Sequence, residues 1–98
     1  MTTPSRRQTI LSAALRIAVD RGYLRVTRDD IATAAECSPA LVSFHLGTMK
    51  QTQRAIMGEA LRVQNLRVIA QGLAHGDRRA QNAPAELREA AAASLTGQ

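Results

Sequence analysis

The feature that most constrains this chain is its helix punctuation. Runs of apolar residues at helical period are opened by small hydroxyl residues, and two of them are closed by glycine. Pro4-Ser5-Arg6-Arg7-Gln8 offers Ser5 as an N-cap with Gln8 three residues on, the pattern of a capping box. Ile10, Leu11, Ala14, Leu15, Ala18 and Val19 follow, and Gly22 stops the run, which predicts a first helix over 6–21. Tyr23 and Leu24 are expected to pack beneath the turn after it. Thr27 caps the next run, with Asp29 and Asp30 in a first turn where the helix dipole favours acids. Ile31, Ala32 and Ala35 give that helix, 28–35, its inner stripe. Ser38-Pro39 opens a third helix, 39–46, with a serine cap and proline at the first helical position, and Gly47 closes it.

Thr48 then starts a helix expected to run over 49–74. Ile56, Ala60, Val63, Leu66, Ala70 and Leu73 lie along one side, widened by Leu61, Val68 and Ile69. Residues 75–83 read as a polar loop, and Pro84 opens a last short helix with Leu87, Ala91 and Leu95 on one side. No stretch alternates at strand period. The fold class is therefore all-α: a three-helix helix-turn-helix domain (1–48), then a long helix and a short C-terminal helix (49–98).

Several function classes fall away on composition. A chain of 98 residues closes one core. With Tyr23 and Phe44 its only aromatics, an Ala-rich core suits close helix packing and is a poor lining for a ligand chamber. No small-molecule ligand is expected. The single Cys37 allows no intrachain disulfide, and no run approaches the length and apolarity of a membrane span, so the expected location is cytoplasmic. Ser5, Ser38, Ser43 and Ser94 lack a nucleophile-elbow context, and Cys37 has no acid–base partner at a recognisable spacing. His45, His75 and Cys37 do not make a zinc set. No catalytic residue, cofactor or metal is expected, and the chain is read as no enzyme.

Charge points the other way, toward a polyanion. The net charge is +5, and twelve of the thirteen basic residues are arginine, whose planar fork suits phosphate and guanine. Residues 1–58 hold eight basic and four acidic groups, whereas 59–98 hold five and four. A positive N-terminal half makes nucleic acid the leading partner class.

The second and third helices, joined by a short turn, form a helix-turn-helix over about 26–47. Ile31, Ala32 and Ala35 on one helix and Val42 and Leu46 on the other can meet the first helix in a common core, with Cys37 pointing inward at the turn. Ala40, Leu41, Ser43 and Phe44 then point outward or sideways. On a reading helix, Leu41 and Phe44 can contact thymine methyls or sugar edges, and Ser43 can bond a base or a phosphate. The helix start near Ser38 and Ala40 is a phosphate seat, and Arg28 is placed to reach a phosphate or a groove edge.

These residues resemble the N-terminal DNA-binding domain of the TetR family of transcriptional repressors. The resemblance runs from Ile10-Leu11-x-Ala13-Ala14-Leu15 through Gly22-Tyr23, Val26-Thr27, Asp30-Ile31-Ala32 and Ala35. It continues over Ser38-Pro39-Ala40-Leu41-Val42-Ser43-Phe44-His45-Leu46-Gly47-Thr48 to Ala55-Ile56. It implies a homodimer on a palindromic operator with the third helix in the major groove. By position it assigns DNA contacts to Thr27, Arg28, Ser38, Ala40, Leu41, Ser43, Phe44 and His45. Where the family places a phosphate-binding lysine, Met49 stands here, and Lys50 is the expected substitute. Glu36 replaces a customary glycine in the turn, Leu46 replaces a phenylalanine, and the family's large ligand-binding domain is not in these residues. The chain thus reads as a repressor without effector, its fourth and fifth helices forming the dimer interface. The alternatives are a helical protein-interaction adaptor and a non-specific nucleic-acid binder.

Overall fold

The computed structural model describes residues 4–96, which form seven helices. They are α1 (Arg6–Arg21), α2 (Arg28–Ala35), α3 (Pro39–Leu46), α4 (Met49–Val63), α5 (Leu66–His75), α6 (Arg78–Gln81) and α7 (Ala85–Thr96). The first three have the bounds the caps predict. Ser5, Thr27 and Ser38 each accept the N–H three residues on, at 3.0, 3.1 and 3.1 Å. Each cap satisfies one of the four N–H groups a helix start leaves without a partner, worth about 1 kcal/mol.

The box expected at Ser5 is only half built. The Gln8 side chain does not turn back to the cap; its Nε2 donates to Glu59 on α4 at 2.8 Å. The complete box is at Thr48, whose Oγ1 accepts the Gln51 N–H while Gln51 Oε1 accepts the Thr48 N–H at 2.8 Å.

The expected helix over 49–74 is two helices. Gln64 adopts the left-handed conformation (φ 58°), and the Asn65 N–H closes back on the Ala60 carbonyl at 2.8 Å. Asn65 then caps α5 by accepting the Val68 N–H. The break re-aims α5, which packs against α1, α4, α6 and α7; its consecutive Val68, Ile69 and Ala70 are all fully buried there, while Val63 at the end of α4 is left exposed. The polar loop is likewise interrupted, because the Asp77 carboxylate accepts the N–H groups of Arg79 and Ala80 and nucleates the single turn α6. Leu24, expected beneath the first turn, is exposed; Tyr23 alone fills that place.

One core runs through the molecule. Ile10, Leu11, Ala14, Leu15 and Ala18 of α1 meet Ile31, Val42 and Leu46 on one side and Ile56, Met57, Ala60 and Ile69 on the other. Ala18, Ala32, Ala60 and Ala70 are small enough to let the helices approach closely, which explains how a core with two aromatics in the whole chain closes. No helix among the described residues is long and apolar enough to cross a membrane.

Candidate nucleic-acid interface

The helix pair α2–α3 is held by its inner residues. Ile31 and Ala32 of α2 and Val42 and Leu46 of α3 are buried, with Cys37 half-buried at the turn between them. The turn has a left-handed residue at its apex. Glu36 sits at φ 57°, its N–H directed at the Ala32 and Thr33 carbonyls, and the Cys37 N–H bonds Ala32 O at 3.0 Å. An L-residue held there costs about 1 kcal/mol relative to glycine.

Two further contacts tie the pair to the helices on either side of it. The Arg21 guanidinium bonds Asp30 at 2.8 Å, joining the end of α1 to the first turn of α2. The Asp30 carboxyl is held below its ordinary range, first by the Thr27 hydroxyl and further by Arg21, which together outweigh the opposing effect of desolvation. At the other end, the buried Thr52 hydroxyl donates to the Thr48 carbonyl at 2.8 Å and lies 3.4 Å from the Leu46 carbonyl. That approach sets the last carbonyl of α3 against α4. Its signal in the sequence is faint, since a threonine at a helical a-type position is indistinguishable from a surface residue until α3 is placed.

Burying Val42 and Leu46 determines what α3 shows to solvent. Phe44 is 80% exposed, the most exposed of the large apolar residues among those described. His45, half-buried, stands edge-on to it at 5.1 Å between ring centres. Ala40 is exposed, Ser43 is half-buried, and Leu41 is half-buried with part of its side chain against the core. Ser38 is exposed at the start of the helix. Thr27 and Arg28 are exposed at the start of α2, and Lys50 is exposed in the first turn of α4. Ser38 uses its oxygen as an acceptor in the cap, which leaves its hydroxyl proton free to be donated outward, whereas the Thr27 hydroxyl is engaged with Asp30.

The predicted residues are thus all at the starts of α2, α3 and α4 or on α3, and none is enclosed in the core. Three helix starts carry caps with unspent hydroxyl donors or cationic side chains beside them. Chemically this is a surface for oxyanions, with an apolar aromatic in its centre.

Residues 10–51 match the family model described as bacterial regulatory proteins, tetR family. The chain is also similar to the HTH-type transcriptional regulator BetI of Rhizobium meliloti (strain 1021). The two are 40% identical over 60 residues, covering 57% of this chain and 30% of that protein. The chain therefore spans under a third of the length of the curated relative it matches. No solved structure matches the chain at a significant level. The matched segment begins in α1 and ends in the first turn of α4, so it contains the helix pair, its turn and the Arg21–Asp30 contact, and stops one residue short of Thr52; over these residues the chain carries a helix-turn-helix segment similar to that of the tetR family.

Proposed function

We propose that this chain is a sequence-specific DNA-binding transcriptional repressor, located in the cytoplasm. It acts as a homodimer on a palindromic operator with α3 in the major groove. The observation that carries the reading is Phe44: a phenylalanine 80% exposed on a two-turn helix whose Val42 and Leu46 are buried. A structural helix gains nothing from such a residue, whereas a reading helix gains contact with thymine methyls and sugar edges. Ser43 and His45 flank it, Ala40 and Leu41 allow close approach to the base edges, and Thr27, Arg28, Ser38 and Lys50 take phosphates. The same name of regulator borne by the relative agrees with this assignment.

Residues 49–98 are proposed as the dimerisation region. Helix α7 runs between two open grooves, one lined by Leu66, Leu87 and Ala90, the other by Leu73, Ala85 and Ala92. Leu95 lies 60% exposed at its end. A second copy would cover these apolar positions and set two α3 helices on one duplex. Both grooves are open to solvent, which favours regulation by occupancy of the operator over control by a small molecule held in these residues. The reading assigns no catalytic role to the chain.

Fluorescence anisotropy with a duplex from upstream of the chain's own gene and a scrambled duplex tests this. Saturable binding to the first, two protomers per site, lost in Ser43→Ala/Phe44→Ala with an unchanged melting temperature, is the expected result. Equal affinity for both duplexes, falling together with salt, means a non-specific binder. Undiminished preference in the double variant means that α3 is not the reader.

A further inference from the structure

The assigned contacts use Lys50 but leave unexplained a group of arginines behind it. Arg54 lies one turn above Lys50 on α4, so the two side chains share a face. Arg79 reaches across from α6, its Nη1 donating to the Arg54 carbonyl at 3.3 Å. Its seat is made by Gly58, where a Cβ would come 3.0 Å from that same nitrogen. Arg78 borders the same open groove, which has a volume of about 420 Å³.

Four cations, Lys50, Arg54, Arg78 and Arg79, are thus exposed along one edge of α4. Among the described residues the ion pairs are Arg21–Asp30 and Arg62–Glu59, so none of the four is neutralised by one. The acid that shares the groove, Asp77, is occupied: one oxygen accepts the N–H groups of Arg79 and Ala80, the other the Tyr23 hydroxyl at 3.2 Å. Those neutral donors leave the Asp77 charge in place, so it offsets only one of the four cations, and the remaining excess of like charge is unfavourable unless a polyanion meets it.

We propose that Arg54 and Arg79, with Arg78 beside them, form a second phosphate-binding track that continues from Lys50 and carries the DNA backbone beyond the segment read by α3. The track rests on the DNA-binding reading above. It contacts phosphates alone and carries no sequence information. Its function is to add affinity and to extend the footprint on either side of each half-site. Gly58 is a positioning residue, since it gives the Arg79 guanidinium room to lie on α4.

The test uses the full chain and two probes: a duplex enriched by the wild-type chain from a random-sequence library, and its scrambled counterpart. Affinity is measured against salt for the wild type, Arg54→Gln, Arg79→Gln, Arg79→Lys and Ser43→Ala/Phe44→Ala. Arg54→Gln and Arg79→Gln are expected to weaken both duplexes by the same factor and to reduce the salt slope by about 1 for each arginine and protomer. Arg79→Lys keeps the slope. Arg54 presents its side chain to solvent, so its replacement leaves the melting temperature unchanged even if that of Arg79 does not. An unchanged slope in Arg54→Gln, with the wild type still selecting its duplex and Ser43→Ala/Phe44→Ala losing that selection, overturns the track and leaves the DNA-binding reading standing. Failure of the wild type to enrich any duplex overturns the reading, and the track with it.

Discussion

The side-chain amide of Gln71 accepts the backbone N–H of Tyr23 at 2.9 Å and donates to the Ala18 carbonyl at the same distance. One side chain of α5 thereby closes the end of α1, in the turn that leads into the helix-turn-helix. Ala18 O also accepts the Gly22 N–H, but Tyr23 N–H has Gln71 alone. Gln71→Ala should therefore cost about 1–3 kcal/mol, the penalty for a buried donor left unpaired. Urea denaturation checks it; a loss below about 0.5 kcal/mol would mean water replaces the amide.

At Glu36 the expected sign is reversed. Its φ of 57° suits glycine, so Glu36→Gly should raise stability by about 1 kcal/mol despite the greater freedom of the unfolded chain. The variant also removes an acid two residues before the Ser38 cap, and should bind DNA more tightly. Glu36→Gln separates the two effects: it should share the gain in affinity and lack the gain in stability.

Gly47 is the opposite case. It lies at φ 78°, ψ −147°, a region almost closed to L-residues, and a Cβ there would meet the Gln51 amide that completes the Thr48 box. Gly47→Ala should lower stability by about 1–3 kcal/mol by calorimetry or urea, through backbone strain and loss of the reciprocal cap. Replacing Gln51 by alanine alone should reproduce only the capping part, about 1 kcal/mol.

Acid should act through Glu59. This buried carboxylate accepts two bonds from Arg62, at 2.8 and 2.6 Å, and one from Gln8. The Arg62 bonds chiefly, with help from Gln8, hold its pKa below the ordinary glutamate range, although burial pushes it up. Because the folded value is the depressed one, its stabilisation is complete above the unfolded value of about 4.3 and is lost as pH falls through the folded value. Melting temperature should drop more steeply with acid in the wild type than in Glu59→Gln. Parallel curves would show that Glu59 is not linked to folding.

The proposed dimer makes its own prediction. Leu95 is 60% exposed, so Leu95→Asp removes little burial within one chain. Paired with Leu87→Asp it should convert a dimer to a monomer in sedimentation equilibrium and reduce DNA affinity. A dimer that survives both substitutions uses another surface.

How much of this could be read from the chain depends on the range over which each signal acts. Ser5, Thr27, Ser38 and Thr48 cap helices through bonds to residues three positions away, so the starts of α1 to α4 were legible without any fold. The same local chemistry, with Val42 and Leu46 inward, left Phe44 outward and marked α3 as the element to watch. The break at Gln64–Asn65 was not legible, because no glycine or proline signals it. It goes with the packing of α5, whose Val68, Ile69 and Ala70 are buried among helices that come together only in the fold. Gln8 shows the same competition: locally it belongs to the Ser5 cap, but Glu59, 51 residues on, takes its amide. The helix-turn-helix is legible in the residues alone, because its caps, stops and inner stripe act over short range. Where Gln71 clamps, how α5 turns, and that Arg54 and Arg79 lie side by side follow from packing, since they depend on contacts between residues far apart in the chain.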